Sequence, residues 1–292
     1  MNVQPILIRR ELWEHRSLWI VPLVVAGLIV IAALFPHSSI QLDDADLAAA
    51  RHHANVFAQF HSALTIPQFL VLAIILPFYL LDCLYAERKD RSILFWKSLP
   101  VSDAQTVLSK LIVALVVVPL GVYALTIATD IVASAILALR FGNSEMMRAL
   151  LRWDMGMWLQ TQGFIVSAFI MVMLWYAPLA AYLLLVSAWA KRNVILWAIL
   201  PPLLLLIVEK IALHTNFVGR LIGYRMNGVW GAIALGQHLS GKADAGGATA
   251  TASMGGVSPF VLLQNIDLWL GLVAAALLVW LTIRIRRHQT ES

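Results

Sequence analysis

Six long apolar stretches separated by polar segments dominate the pattern of the chain. They cover residues 18–35, 66–84, 111–139, 163–190, 194–210 and 265–283. A helix that crosses a bilayer needs about 20 mainly apolar residues, with a range of about 17–25. The pattern therefore predicts an all-α integral membrane protein with six transmembrane helices, in a single transmembrane domain over residues 1–292.

Residues 1–17 alternate apolar and charged positions before the first apolar stretch. Ile8, Leu12 and Trp19 fall at spacings of four and seven, which places them on one face of a helix, while Glu11 and the arginines fall elsewhere. This pattern predicts an amphipathic helix that lies on the membrane surface. A plain charged flank before the first span is the alternative.

Lys and Arg are concentrated in the segments on one side of the six predicted spans. Thirteen of the twenty-one lie in four short segments, which are residues 9–16, 88–110, 191–192 and 284–287. Cytoplasmic loops carry an excess of these residues. We therefore predict that both termini are cytoplasmic, that residues 85–106 form a cytoplasmic segment, and that residues 211–259 form an outer loop.

The composition agrees with a lipid surrounding. Hydrophobic residues make up 61% of the 292 and charged residues 13%, whereas soluble domains average about 45–50% and about 25%. The net charge of +5 is explained by the basic residues of the predicted cytoplasmic segments, so we expect membrane lipid and no nucleic acid as a partner.

One cysteine, Cys83, excludes an internal disulfide. The first apolar run, 18–35, exceeds the core of about 7–15 residues in a signal peptide, so we read it as a retained span.

The cytoplasmic segment 85–106 is more than a polar connection. Ile93, Trp96 and Leu99 are spaced by three and form one apolar stripe of a predicted short helix. Pro100 ends that helix, because proline disfavours helical geometry at the residue before it. Such a stripe either lies on lipid headgroups or docks into a groove of another protein.

A second helix is predicted to start directly after this break. Ser102 is followed three residues later by Gln105, which is a Ser-x-x-Gln capping box. The helix would then run through Lys110 into the third span. The segment is therefore a short helix, a break and a restart, held between two membrane helices.

The residues of this segment resemble the signature of the bacterial ABC-2 type transporter permeases. The matching elements are Glu87-Arg88, Leu99-Pro100-Val101-Ser102 and the later Lys110. The motif covers about 25 residues, and the similarity in topology covers the whole chain. The chain departs from the commonest pattern at residues 91–94, where many members have Gly-Thr-Leu-Glu, and this leaves the substrate open.

The resemblance implies an ABC-2, type V exporter-like architecture in a bacterial plasma (inner) membrane, and a permease that works with a second, identical or different, permease copy. In this family the segment is the coupling helix that docks on a separate ATPase subunit. The residues implied at or near that contact are Glu87, Arg88, Ile93, Trp96, Leu99 and Pro100. Lys110 matches a basic residue that anchors the third span at the inner surface.

Nucleotide binding is expected on the partner and not on this chain. The sequence has no G-x-x-x-x-G-K-[ST] phosphate loop, and its only Gly-Lys, Gly241-Lys242, is followed by Ala. We therefore expect no enzymatic activity of the chain alone, no cofactor or metal bound by it, and ATP with Mg²⁺ on the ATPase subunit.

Few ionisable residues fall inside the predicted spans. A charged group at the middle of a bilayer costs at least about 2.5–3.5 kcal/mol, so such residues are candidates for function. Asp130 is the deepest and is predicted to line a polar pathway or to pair with Lys or Arg on a neighbouring helix. Glu209 and Lys210 are read as a pair at the membrane interface.

Two other classes of function compete with a permease. An ion-coupled secondary transporter would use Asp130 and Glu209, but such folds usually contain internal repeats, and the sequence shows none. A membrane enzyme or assembly factor would use the histidines and aspartates between the first two spans, which are His52, His53, His61, Asp43, Asp44 and Asp46. We read these instead as solvated loop residues.

Overall fold

The protein is all-helical over the part of the chain that the computed structural model describes, which is residues 4–35, 53–90, 101–141, 155–228 and 259–288. Helix accounts for 93% of these residues, and they contain no strand. The α-helices are α1 (Gln4–Glu14), α2 (Ser17–Leu34), α3 (His53–Lys89), α4 (Asp103–Ile112), α5 (Val118–Phe141), α6 (Met155–Trp189), α7 (Val194–Val208), α8 (217–228) and α9 (Ile266–His288). Two π-helical turns, Val113–Val117 and Glu209–Leu213, and a 3-10 helix, Pro259–Gln264, complete the described elements.

Six helical stretches are long and apolar enough to cross a membrane, as the apolar pattern predicted. They are Ser17–Leu34, Leu64–Lys89, Asp103–Arg140, Trp158–Trp189, Val194–Leu213 and Ile266–His288. The protein is therefore a multi-pass helical membrane protein. Several stretches are longer than the predicted spans because α3 and α6 continue beyond their apolar part as regular helix.

The core lies between α3, α5 and α6, and α9 packs along α6. Leu72 of α3, Val118 and Val122 of α5, and Leu184 of α6 are buried there. Helix α2 packs against α5 and α3, whereas most side chains of α7 are exposed and apolar, such as Leu203. Lipid tails are as apolar as leucine, so such a helix needs little protein around it.

Helix α1 packs on α4 with a face that carries a charge. Ile8 and Leu12 are partly buried against the core, as their spacing predicted. Leu7 and Glu11 are buried more completely, and Trp13 is exposed. The prediction that Glu11 lies away from this face was therefore wrong, and the reason is that its carboxylate has partners inside the protein.

The third span contains an irregular turn next to its proline. The π-helical turn Val113–Val117 ends two residues before Pro119. Proline has no N–H, so the carbonyl of Leu115 has no α-helical donor, and a π turn changes the register of the backbone hydrogen bonds there. Gly121, two residues after this proline, lies within regular helix.

The predicted capping box is present at the start of α4. The Ser102 Oγ accepts a hydrogen bond from the Gln105 backbone N–H at 3.2 Å, and the Gln105 Oε1 accepts one from the Ser102 N–H at 3.0 Å. Two N–H groups that the helix leaves unpaired thereby gain partners.

Replacing Ser102 by Ala is expected to lower the free energy of unfolding by about 1 kcal/mol, because it removes this cap. Thermal unfolding of the purified protein in lipid nanodiscs would measure the change. Ser102→Asn, which retains a capping oxygen, should stay close to the wild type. Equal melting temperatures for the Ala and Asn variants would contradict the role of the cap.

The segment after the fifth span folds back as helix α8, which lies in what was predicted as an outer loop from residue 211. Glu209 caps this helix: its Oε1 accepts from the Thr215 hydroxyl at 2.9 Å and from the Phe217 N–H, and its Oε2 accepts from the Val218 N–H at 2.8 Å. Lys210 is exposed. Glu209 therefore serves as a helix cap, while the predicted position of Glu209 and Lys210 at the membrane interface stays a prediction. Residues 229–258 of the predicted loop lie outside the described residues.

Candidate functional site

Six charged side chains from four helices meet at one end of the bundle. They form what we call the charged network, which consists of Arg10, Glu11, Glu87, Asp103, Lys110 and Arg286. The network joins α1, the end of α3, α4 and the end of α9. Three of its members are cationic and three are anionic, so the group is neutral as a whole.

Lys110 lies at the centre of the charged network. Its Nζ is 2.7 Å from Glu11 Oε1 and 3.1 Å from Glu87 Oε1, and its side chain is 0% exposed. Tyr79 donates its hydroxyl hydrogen to Glu11 Oε2 at 3.1 Å. A buried charge needs both an opposite charge and hydrogen bonds, and these contacts supply them.

Arg286 connects the last helix to the same carboxylate. Its Nη1 donates to Glu87 Oε2 at 2.7 Å, and its Nε donates to Asp103 Oδ1 at 3.0 Å. Arg10 of α1 adds a longer contact of 3.5 Å between its Nη2 and Glu87 Oε1. Glu87 therefore faces cations from α1, α4 and α9.

Arg88, the next residue, fastens α3 to the end of α6. Its Nη2 donates to the carbonyl oxygens of Ser187 at 2.6 Å and Ala190 at 2.7 Å. Carbonyl groups at the C-terminus of a helix lack intrahelical donors and carry partial negative charge, so an arginine is well placed there. The Ser187 Oγ accepts from the backbone N–H groups of Leu84 and Tyr85, at 3.1 Å each.

The structure brings together some of the site residues predicted from sequence. Glu87 and Lys110 form an ion pair, and Arg88 lies beside them. All three make contacts within the chain, and Glu87 is 4% exposed. The remaining predicted contact residues, Ile93, Trp96, Leu99 and Pro100, lie outside the described residues, so their part in a docking surface stays a prediction.

Four members of the charged network were not identified from sequence: Arg10, Glu11, Asp103 and Arg286. The arginines were read as part of the topology signal, which any basic residue at a span end satisfies. A usable signal existed for Glu11, because it lies four residues after Leu7 and three after Ile8, on the apolar face of α1. An acid at such a position indicates a buried partner.

Asp130, the deepest predicted ionisable residue, lies in a second polar group near the other end of the bundle. It is 2% exposed, and its Oδ1 is 2.5 Å from the Nδ1 of His61, which is also 2% exposed. Its Oδ2 accepts from the Trp158 Nε1–H at 3.3 Å. We call these three residues the His–Asp cluster.

Two expectations are corrected by this cluster. His61 is not a solvated loop residue, because α3 extends through it and buries its ring against α5. Among the described residues, the ionisable partner of Asp130 is a histidine and not a lysine or arginine. The apolar pattern missed this because the predicted second span begins at residue 66, several residues after His61.

One group of potential metal ligands lies near the charged network. Ligand atoms of Glu11, Glu14 and His15 lie within 4.8 Å of one another. Lys110 already pairs with Glu11, and Arg10 with Glu14 at 2.6 Å. Burial lowers the pKa of His15, and its ring packs edge-on against Tyr79. We therefore read this group as part of the packing of α1.

The fold and the charged network define the class of the protein as a multi-pass α-helical membrane protein with a buried ion-pair centre. No known protein family, curated protein or solved structure matches the chain. A more specific function therefore rests on the residues themselves.

Proposed function

We propose that this protein is the transmembrane permease subunit of an ATP-driven ABC exporter of the ABC-2 type. It would work with a separate ATPase subunit and a second permease copy in a bacterial inner membrane. The observation that carries the proposal is the ion pair between Glu87 and Lys110. These two residues flank the segment 91–100, which holds the apolar stripe that resembles a coupling helix.

A coupling segment must pass a displacement to the membrane helices. The Glu87–Lys110 pair links the end of α3 to α4, so the two ends of the segment are held at a fixed distance by a buried contact. Helix α4 continues through the π-helical turn into α5 without a loop. A force applied between residues 91 and 100 would therefore reach two spans directly.

The charged network extends this link to other helices. Arg286 attaches α9, and Glu11 attaches α1, to the same centre. Because the ion pairs are buried, moving one helix away from the others would expose or separate charges at a large cost in free energy. We infer that these helix ends move as one unit when the ATPase changes conformation.

The proposal divides the motif residues into two roles. Ile93, Trp96, Leu99 and Pro100 would contact the ATPase directly. Glu87 and Arg88 would act as positioning residues behind that contact, since their side chains bind partners inside the chain. Lys110 would act in the same way from α4.

The proposed transport cycle combines this arrangement with the mechanism that the family resemblance implies. ATP and Mg²⁺ bind to the partner ATPase subunits, whose closure displaces the coupling segments of the two permease copies. The attached spans then open a path between the copies for a substrate that enters from the cytoplasm or inner leaflet and leaves on the outer side. In this view the network end of the bundle faces the cytoplasm, in agreement with the basic residues clustered there.

Capture of an ATPase tests the proposal. The tagged chain would be expressed with its genomic neighbours, extracted in mild detergent and compared with a Trp96→Asp, Leu99→Asp double variant. We expect an ATPase to co-purify with the wild-type chain and to be lost with the variant, because buried carboxylates would disrupt an apolar contact.

A matched control places the same change on another exposed apolar surface. Ile6 and Trp13 of α1 are 60% and 65% exposed, so an Ile6→Asp, Trp13→Asp variant should keep the ATPase. A wild-type chain that inserts normally but captures no ATPase would contradict the proposal. Loss of capture in both double variants would show a general effect of added charge.

Ion-coupled secondary transport is the second candidate, and the buried His–Asp cluster is the observation that favours it. Glu209, the other acid expected in such a pathway, instead caps α8. Uptake or export driven by an imposed proton gradient in ATP-free proteoliposomes would support this candidate over the exporter.

A further inference from the structure

Helix α1 has a second face, which is turned away from the rest of the bundle. Arg9, Trp13 and Arg16 follow one another at spacings of four and three, which places them on one side of a helix. Arg16 lies just beyond α1, and its backbone keeps helical dihedral angles, with φ −58° and ψ −27°. All three residues are exposed, and we call them the outward face of α1.

The outward face carries positive charge from its two exposed arginines, Arg9 and Arg16. The acids of the same helix are bound to other cations: Glu11 lies in the charged network, and Glu14 pairs with Arg10 at 2.6 Å. These acids therefore do little to neutralise the two arginines. A ligand that binds this face is expected to be negatively charged.

The start of α2 places the outward face close to lipid. Ile20, Leu23 and Val24 of α2 are exposed and apolar, and on a membrane-spanning helix such residues contact lipid tails. Ile20 follows Arg16 by four positions and Trp13 by seven, which is about 6 Å and about 10 Å along a helix. The headgroup region on each side of a bilayer is about 5–8 Å thick. This end of the outward face therefore lies at the depth of the headgroups.

Trp13 and Arg9 have the chemistry that this depth favours. The Arg9 guanidinium carbon lies 5.7 Å from the centre of the Trp13 ring, a cation–π contact that brings the charge of Arg9 to the level of the tryptophan. Tryptophan is enriched at membrane interfaces, where its ring meets both apolar tails and water. Arginine binds phosphate through paired N–H donors. The outward face therefore combines an interfacial aromatic side chain with two cations suited to phosphate.

We propose that the outward face of α1 binds the headgroups of anionic phospholipids. The guanidinium groups of Arg9 and Arg16 pair with lipid phosphates, and the Trp13 ring lies among the headgroups. In the predicted topology this end of the bundle faces the cytoplasm, and the cytoplasmic leaflet is the one with a negative surface potential. Basic residues next to a membrane helix are attracted to such a surface.

A protein partner is the alternative occupant of this face, because α1 packs on α4, which follows the coupling segment. Two observations favour lipid. The outward face continues into the exposed apolar start of α2. Its apolar part is a single tryptophan between two arginines, whereas a protein docking surface usually has a larger apolar core surrounded by a polar rim.

The consequence is a link between lipid charge and the charged network. Glu11, on the buried side of the same helix, contacts Lys110 at 2.7 Å. Helix α1 is therefore held by a buried ion pair on one side and by lipid phosphates on the other. This inference goes beyond the proposed export function and holds for the chain alone, whatever it transports.

The test is a lipid titration of the purified full chain in detergent, in which native mass spectrometry counts the bound molecules of phosphatidylglycerol or phosphatidylcholine. We expect the wild-type chain to bind the anionic phosphatidylglycerol more tightly than the zwitterionic phosphatidylcholine. An Arg9→Gln, Arg16→Gln variant should bind phosphatidylglycerol about thirtyfold more weakly, the combined effect of two basic residues near an anionic surface, and phosphatidylcholine as before. Equal affinity of the wild type for the two lipids would overturn the proposal, and this comparison needs no variant to fold.

A matched control removes two exposed positive charges elsewhere at the same end of the bundle. Lys89→Gln, Arg287→Gln makes the same change in net charge and should keep the tightest phosphatidylglycerol site. An equal loss in both double variants would overturn the proposal, because it would show a nonspecific attraction to a basic surface. An Arg9→Gln, Arg16→Gln variant that binds phosphatidylglycerol normally but no longer captures an ATPase would assign the face to that protein and overturn the proposal as well. The lipid titration uses the chain alone, so its result and that of the exporter test are independent.

Discussion

Replacing Lys110 by Met is expected to lower the free energy of unfolding by about 3–5 kcal/mol, the usual cost of removing one partner from a buried ion pair. Lys110 is the cation that both Glu11 and Glu87 contact. Glu87 would keep its ion pair with Arg286, whereas Glu11 would keep the neutral Tyr79 hydroxyl as its hydrogen-bond donor. Most of the lost stability should therefore come from a weaker attachment of α1 to the bundle.

Thermal unfolding in nanodiscs measures this effect, with an expected drop in melting temperature of roughly 10 °C. Lys89→Met makes the same chemical change at an exposed lysine of α3 and should alter the melting temperature little. A Glu11→Gln, Lys110→Met variant should recover part of the loss, because it removes the unpaired charge as well. Similar melting temperatures for the Lys110 and Lys89 variants would mean that the buried contacts contribute little.

The number and type of the helices could be predicted because lipid imposes them. In a bilayer every backbone polar group must be paired within the chain, so long apolar stretches are restricted to helix. All six predicted stretches became such helices. The start of α4 was predictable as well, because the contacts of a capping box are local and involve only Ser102 and Gln105.

The partners inside the site were not predictable in the same way. Lys110 and Glu11 are 99 positions apart, and Glu87 and Arg286 are 199 apart. Local pattern shows only that a charge is present, while its partner depends on how the helices pack. Hydropathy also places a span only where residues are apolar, so a buried histidine such as His61, on the polar extension of α3, was assigned to a loop.

Gly121→Val is expected to lower the free energy of unfolding by about 1–3 kcal/mol, the usual cost of overpacking. A Cβ at this position would overlap Cζ3 and Cη2 of the Trp19 ring. Trp19 belongs to α2 and packs against the core, and its rigid ring can move only as a whole. The added side chain should therefore push α2 away from α5, in spite of the slightly better helix propensity of valine.

A matched glycine on α2 separates crowding from propensity. A Cβ added at Gly27 would meet no described atom within 4 Å, so Gly27→Val should leave the melting temperature unchanged or raise it slightly. A Trp19→Ala, Gly121→Val variant should be less destabilised than the sum of its two single variants, because the ring that meets the new side chain is gone. Additive losses would show that Gly121 acts through the helix backbone and not through contact with Trp19, and the close packing of α2 on the third span would then need another explanation.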